Sequence, residues 1–177
     1  MKSAVIFGSG KCSPKTKLYR SAYALGEFLG RYGIAIVNGG YYGVMEASAK
    51  GASIHNAERI GVIFKKYNSL PNKYISRIVE ANSYLERLNI LIELGNAFFV
   101  FYGGSGTLLE LTALLALMER NLIDVNVYCI GKQWKMFLNL YSKFFREKTQ
   151  SNLPEGVYYY ESVDELIVEL TRKWGNV

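Results

Sequence analysis

Three glycine-bearing stretches in this chain have the composition of anion-binding loops. The longest, Tyr102-Gly103-Gly104-Ser105-Gly106-Thr107-Leu108-Leu109-Glu110, follows the apolar run AFFVF and leads into LTALLALMER. Gly103, Gly104 and Gly106 leave no side chains to obstruct a phosphate, and Ser105 and Thr107 supply hydroxyls. A helix starting here would aim its first N–H groups and the positive end of its dipole at the same point. Gly39-Gly40-Tyr41-Tyr42-Gly43 repeats the device after the run IAIV and before VMEASAKGA. One such loop is readily a strand-to-helix turn with positive φ. Two at one edge of one sheet fit anion binding better. The third, Gly8-Ser9-Gly10-Lys11-Cys12-Ser13, begins like a dinucleotide fingerprint but has Ser13 in place of the last glycine. It lacks the Walker spacing too, because Val5 stands where that motif needs glycine. Gly8 and Ser9 therefore read either as a tight turn or as backbone close to a ligand.

Two charged residues could act beside such loops. Glu110 is positioned to stabilise positive charge or handle a proton, but Thr107-x-x-Glu110 also spells a capping box, in which the glutamate only returns a hydrogen bond to the backbone. Taking Ser83 to Gly95 as a helix at about 100° per residue, Tyr84, Leu88, Leu91 and Ile92 form the core face and Glu86 and Glu93 the opposite side, with Arg87 at the border. A border arginine either snorkels or makes a bidentate contact to phosphate or carboxylate. Both pairs of readings stand at this level.

Other chemistries are disfavoured. His55 is the only histidine, and SIHNAE offers no ligand spacing, so neither a metal site nor a Ser-His-Asp triad is expected. Cys12 and Cys129 lie far apart, in no paired spacing, as in a reduced intracellular protein. No apolar run reaches the roughly 18 residues of a membrane span, and the N-terminus lacks a secretory signal core, which makes the cytoplasm the expected location. The net charge of +6 favours anionic partners. Lys11, Lys15, Lys17 and Arg20 cluster early, and Lys132, Lys135, Lys143, Arg146 and Lys148 later. Neither cluster shows the regular aromatic interleaving of a single-strand binder, so nucleic acid is not the expected partner. The early cluster follows the first strand, where phosphates arrive in nucleotide-binding folds.

The elements that must position these residues alternate along the chain. SAVIF, IAIV, IGVIF, AFFVF, VNVYCI and VYYY read as strands, separated by helical patterns at Lys17–Tyr32, 43–54, 83–94, 106–120 and 134–148, with a last helix opened by Ser162-Val-Asp-Glu165. After IGVIF a polar loop runs through Pro71, and no further strand is read before Ser83. Strands apolar on both faces, alternating with helices, imply an α/β fold: a doubly wound parallel sheet covered by helices on both faces. With 177 residues, 50% hydrophobic and without a compositional break, the chain is expected to be a single domain, residues 1–177. In such folds ligands bind beyond the carboxyl ends of the strands, where the glycine loops fall.

Taken together these residues resemble the LOG (Lonely Guy) family, once mislabelled lysine decarboxylases, and the wider LOG-like group of Rossmann-like nucleotide-binding proteins. Residues 102–110 match that family's Pro-Gly-Gly-x-Gly-Thr-x-x-Glu motif, and Gly39, Gly40 and Gly43 with VMEASAKGA match its second block. The resemblance implies a nucleoside 5′-monophosphate phosphoribohydrolase that releases free base and ribose 5-phosphate. It needs no cofactor and works as a homodimer or higher homo-oligomer. Arg87 and Glu110 would be catalytic; Gly8, Ser9, Gly39, Gly40, Gly43, Gly103, Gly104, Ser105, Gly106 and Thr107 would bind phosphate or nucleotide. Tyr102 replaces the motif proline, and Leu88 replaces the lysine that follows the arginine. These departures, with Tyr41 and Tyr42, resemble the branches associated with binding, including molybdenum-cofactor carriers and proposed nucleotide sensors. The tyrosine pair is placed to stack on a base.

Overall fold

The continuous apolar runs pair side by side. In the computed structural model, which describes residues 2–66, 69–149 and 153–175, the strands are β1 (Ser3–Phe7), β2 (Ala35–Asn38), β3 (Arg59–Phe64), β4 (Arg77–Ala81), β5 (Ala97–Phe101), β6 (Asn126–Ile130) and β7 (Val157–Tyr160). They form one sheet in the order β4-β3-β2-β1-β5-β6-β7, every pair parallel. The helices are α1 (Lys17–Arg31), α2 (Val44–Ser53), α3 (Tyr84–Glu93), α4 (Ser105–Glu119), α5 (Lys132–Thr149) and α6 (Val163–Trp174).

Side chains alternate across the strands and divide the core into two layers. Ala4, Ile6, Phe99 and Phe101 pack against α1, α2 and α6. Val5, Phe7, Phe98 and Val100 pack against α3, α4 and α5. Phe98, Phe99 and Phe101 are fully buried. Burial of each such side chain contributes roughly 1.5–3 kcal/mol, so β5 is anchored on both faces and the loop that follows it starts from a rigid base. The expected doubly wound α/β architecture is the one observed.

The sequence reading missed β4. RIVEA lies at the sheet edge, with only Ala81 buried, so it lacks the two-sided apolar signature of the central strands. It joins β3 through residues 65–76 without an intervening helix among the described residues. On the other face of the sheet, α1 and α2 touch backbone to backbone. A β-carbon on Gly26 would overlap the carbonyl of Ser48, and one on Gly51 the carbonyl of Tyr23. That contact fixes where α2 begins.

The helix starts differ in a way that bears on function. Thr16, Ser83 and Ser162 cap α1, α3 and α6 with their side-chain oxygens, each accepting a backbone N–H of the first turn. The boxes opened by Ser83 and Ser162 close one residue early: Glu86 accepts the Asn82 N–H at 2.8 Å, and Glu165 the Glu161 N–H at 3.0 Å. By contrast, α2 and α4 begin at Gly43 and Gly104 with no side-chain cap.

Candidate functional site

Strand order reverses between β1 and β5, and the loops after them meet there. Ser9 ties them together. Its N–H donates to the Tyr102 carbonyl at 3.1 Å, and its carbonyl accepts the Val44 N–H at 2.9 Å. The loops after β1, β2 and β5 thus form one connected floor. Above it lies a cavity of about 740 Å³ lined by Gly8, Ser9, Gly10, Lys11, Tyr41, Met45, Ser69, Tyr84, Arg87, Tyr102, Gly103, Gly104, Gly106, Thr107 and Glu110.

The two glycine loops do different work. At α4 the N–H groups of Ser105, Gly106 and Thr107 have no acceptor within the helix, and no side chain caps them. That turn is open to an anion. Thr107 is buried, and a β-carbon at Gly103 would overlap its hydroxyl. Ser105 is exposed and does not line the cavity. The loop after β2 is largely internal. Gly40 and Gly43 hold φ of 78° and 66°, which favour glycine. The Gly40 N–H donates to buried Asn38 Oδ1 at 2.8 Å, the Val44 N–H is taken by Ser9, and a β-carbon at Gly43 would strike the Ser9–Gly10 backbone. Gly39, Gly40 and Gly43 support the cavity without lining it.

Buried Asn72 locks this second loop from the side. Its Nδ2 donates to the carbonyls of Gly40 at 3.0 Å and Tyr41 at 2.6 Å. Tyr41 is held further by its hydroxyl, which accepts the Phe64 N–H at 3.0 Å, and its ring lines the cavity. Tyr42 is exposed and is absent from the lining, so the structure places only one of the two tyrosines at the site.

Arg87 does not snorkel. It is 7% exposed, and its Nε donates to the Val62 carbonyl at 2.7 Å. β2 ends at Asn38 opposite Gly61, so Val62 lies one residue past the paired segment. The guanidinium carbon stands 5.8 Å from the Tyr41 ring centre. Neighbouring Leu88 is buried and brings no charge.

Glu110 is no capping-box partner. The helix starts at Ser105, so Thr107 is already within it, and Glu110 lies further along at the cavity wall. Burial pushes its carboxyl up to about 7, against the lowering influence of the Arg87 charge. Among the described residues no ion pair joins the two. A carboxyl near 7 exchanges a proton readily at neutral pH.

The structure thus gathers Gly8, Ser9, Arg87, Gly103, Gly104, Gly106, Thr107 and Glu110 around one cavity. Sequence reasoning assigned no site role to Met45, Ser69 or Tyr84. Met45 and Tyr84 occupy first helical turns, where their apolar character reads as core. Among the described residues, no three His, Cys, Asp or Glu side chains group as metal ligands, and no helix is long and apolar enough to cross a membrane.

A doubly wound sheet with an uncapped helix start and a cavity at its switch point defines a Rossmann-like α/β domain. The chain belongs to the SLOG cluster4 family, whose model matches residues 2–167. It is 33% identical over 110 residues to an uncharacterized protein of Archaeoglobus fulgidus, covering 62% of this chain and 71% of that one. Among solved structures it is similar to the molybdenum cofactor binding protein of Rippkaea orientalis (TM-score 0.71, 20% identity, 98% of this chain and 96% of that one). The molybdenum cofactor carrier protein of Chlamydomonas reinhardtii is similar too (TM-score 0.69, 21% identity, 96% of each chain). DNA processing protein A of Streptococcus pneumoniae matches with TM-score 0.59 and 19% identity over 94% of this chain and 61% of that one. At these identities the structural likeness speaks to the fold.

Proposed function

We propose that the protein binds a nucleoside 5′-monophosphate and hydrolyses its N-glycosidic bond. The observation that carries this reading is Glu110, a carboxyl poised near 7 beside a buried arginine and on the same helix as the open first turn. In this reading the phosphate sits at the N–H groups of Ser105, Gly106 and Thr107 and the ribose lies toward Glu110, which lines the same cavity. As the C1′–N bond breaks, its electron pair leaves on the base nitrogen, which takes a proton. Water adds to C1′ and gives one up. Glu110 faces the positive charge that develops at C1′ and accepts the proton from water, while the fixed charge of Arg87 steadies its ionised form. A cavity of about 740 Å³ is within the usual range for a ligand of this size. The site acts within a homodimer or higher homo-oligomer. The test is incubation with a panel of nucleoside 5′-monophosphates, following free base and ribose 5-phosphate by chromatography. Release by the wild type that disappears in Glu110→Gln is the expected result.

A second reading is favoured by the uncharged Leu88 and by the cofactor-carrying proteins of similar fold: the same grip holds a phosphorylated cofactor, such as a molybdenum cofactor, without cleaving it. Saturable binding of such a ligand with no turnover in either form would favour this reading over hydrolysis.

A further inference from the structure

We infer that Lys11 is the cation that neutralises the phosphate of the ligand and sets the preference for a phosphorylated over an unphosphorylated molecule. The inference rests on the phosphate-binding part of the proposed function. Among the described residues, two cationic side chains line the cavity, Lys11 and Arg87. Arg87 is fixed in place: it is buried, its Nε donates to the Val62 carbonyl, and its charge already acts on the Glu110 carboxyl. Uncharged Leu88 follows it on α3. A phosphate monoester carries close to two negative charges above about pH 7, more than the partial positive charge of one helix start can balance.

Lys11 is placed to supply the remainder. Its loop is fastened at Ser9, whose N–H bonds the Tyr102 carbonyl at 3.1 Å and whose hydroxyl accepts the Lys11 N–H at 3.2 Å. Tyr102 leads directly into the glycines that open α4, so the backbone of Lys11 is held beside that turn. The side chain is exposed, and among the described residues no ion pair occupies its ammonium group. An exposed lysine reaches an arriving phosphate without a desolvation cost paid in advance.

The experiment is calorimetric titration of the wild type, Lys11→Gln and Lys11→Arg with the four ribonucleoside 5′-monophosphates, their nucleosides and inorganic phosphate, at pH 7.5 and low salt. Thermal melts check that the variants fold. Lys11→Gln should weaken the preferred monophosphate about 10- to 100-fold, leave the nucleoside unchanged, and flatten the loss of affinity with added salt; Lys11→Arg should recover most of the loss. Equal monophosphate affinity in the wild type and Lys11→Gln overturns the role of Lys11 while the nucleotide reading stands. Inorganic phosphate binding that depends on Lys11, with no mononucleotide bound, keeps Lys11 and removes the nucleotide. Binding of none of these probes by the wild type overturns both.

Discussion

Gly39 and Arg87 share one space: a β-carbon on Gly39 would overlap the Nη2 end of the guanidinium. The glycine at the end of β2 is thus explained by an arginine that reaches it from α3. Gly39→Ala must push the guanidinium off the Val62 carbonyl or shift the strand end. Loss of a buried, charge-assisted hydrogen bond costs about 1.5–3 kcal/mol, so urea unfolding of Gly39→Ala should show a destabilisation of that order. In the background of Arg87→Ala the same substitution should cost less, because the severest overlap is gone and the one that remains, with Met45 Sδ, lies near the end of a flexible side chain. Equal costs in both backgrounds would refute this explanation of the glycine.

Glu110 makes stability depend on pH with a definite sign. Its folded value of about 7 lies above that of an exposed glutamate, so between roughly pH 4.5 and 7 the folded state holds more proton than the unfolded one. Stability from this group is intact below that window and falls as pH rises through it, by an amount on the order of 3 kcal/mol when complete. Glu110→Gln removes the dependence. The variant should match the wild type near pH 4.5 and exceed it by a few kcal/mol at pH 8, in the same sample that has lost any hydrolysis. Parallel stability profiles for the two proteins from pH 4.5 to 8 would show that Glu110 titrates normally.

How much of this was legible in the sequence depended on what each residue faces. β1 and β5 read clearly because SAVIF and AFFVF are buried on both sides. RIVEA hid because an edge strand needs few apolar residues. Thr107 and Glu110 were ambiguous, since the same four-residue spacing serves a capping box or a site; only the start of α4 at Ser105 decides. The glycines of residues 39–43 suggested a second phosphate grip because composition shows permitted conformations, not which N–H groups are already taken. Asn72 carried no signal at all, as its partners are carbonyls some 30 positions away.

Gly26 and Gly104 should respond differently to the same substitution. A methyl at Gly26 meets the Ser48 carbonyl across the α1–α2 contact, where neither backbone has room to move. Gly26→Ala should therefore destabilise by about 1–3 kcal/mol or more. Gly104 has an ordinary φ of −89° and nothing within 4 Å of its β-carbon position. Nothing in the fold requires glycine there. Gly104→Ala loses only the preference of the N-cap position for glycine over alanine, on the order of 1 kcal/mol, and should bind phosphorylated ligand more weakly, because the methyl is added at the open turn. A stable variant with undiminished phosphate affinity would remove that turn from the binding site.

Asn72 tests whether the second loop acts as a support. Its side chain holds the carbonyls of Gly40 and Tyr41, and its Oδ1 accepts the Tyr74 N–H at 3.1 Å. Asn72→Leu, similar in size, leaves the Tyr41 carbonyl and the Tyr74 N–H short of these partners, while the Gly40 carbonyl keeps the backbone N–H of residue 72 at 2.8 Å; the loss is about 1–3 kcal/mol for each group left unsatisfied. Because Tyr41 lines the cavity and its ring stands over Arg87, loosening it should also weaken ligand affinity through a residue that does not line the cavity. The check is to measure urea stability and ligand affinity together for Asn72→Leu and Tyr41→Phe. Tyr41→Phe removes the hydroxyl that accepts the Phe64 N–H and donates to the Phe64 carbonyl but keeps the ring, and should show a smaller fall in both quantities. Loss of stability in Asn72→Leu with unchanged affinity would mean that the loop after β2 holds the fold and has no part in shaping the site.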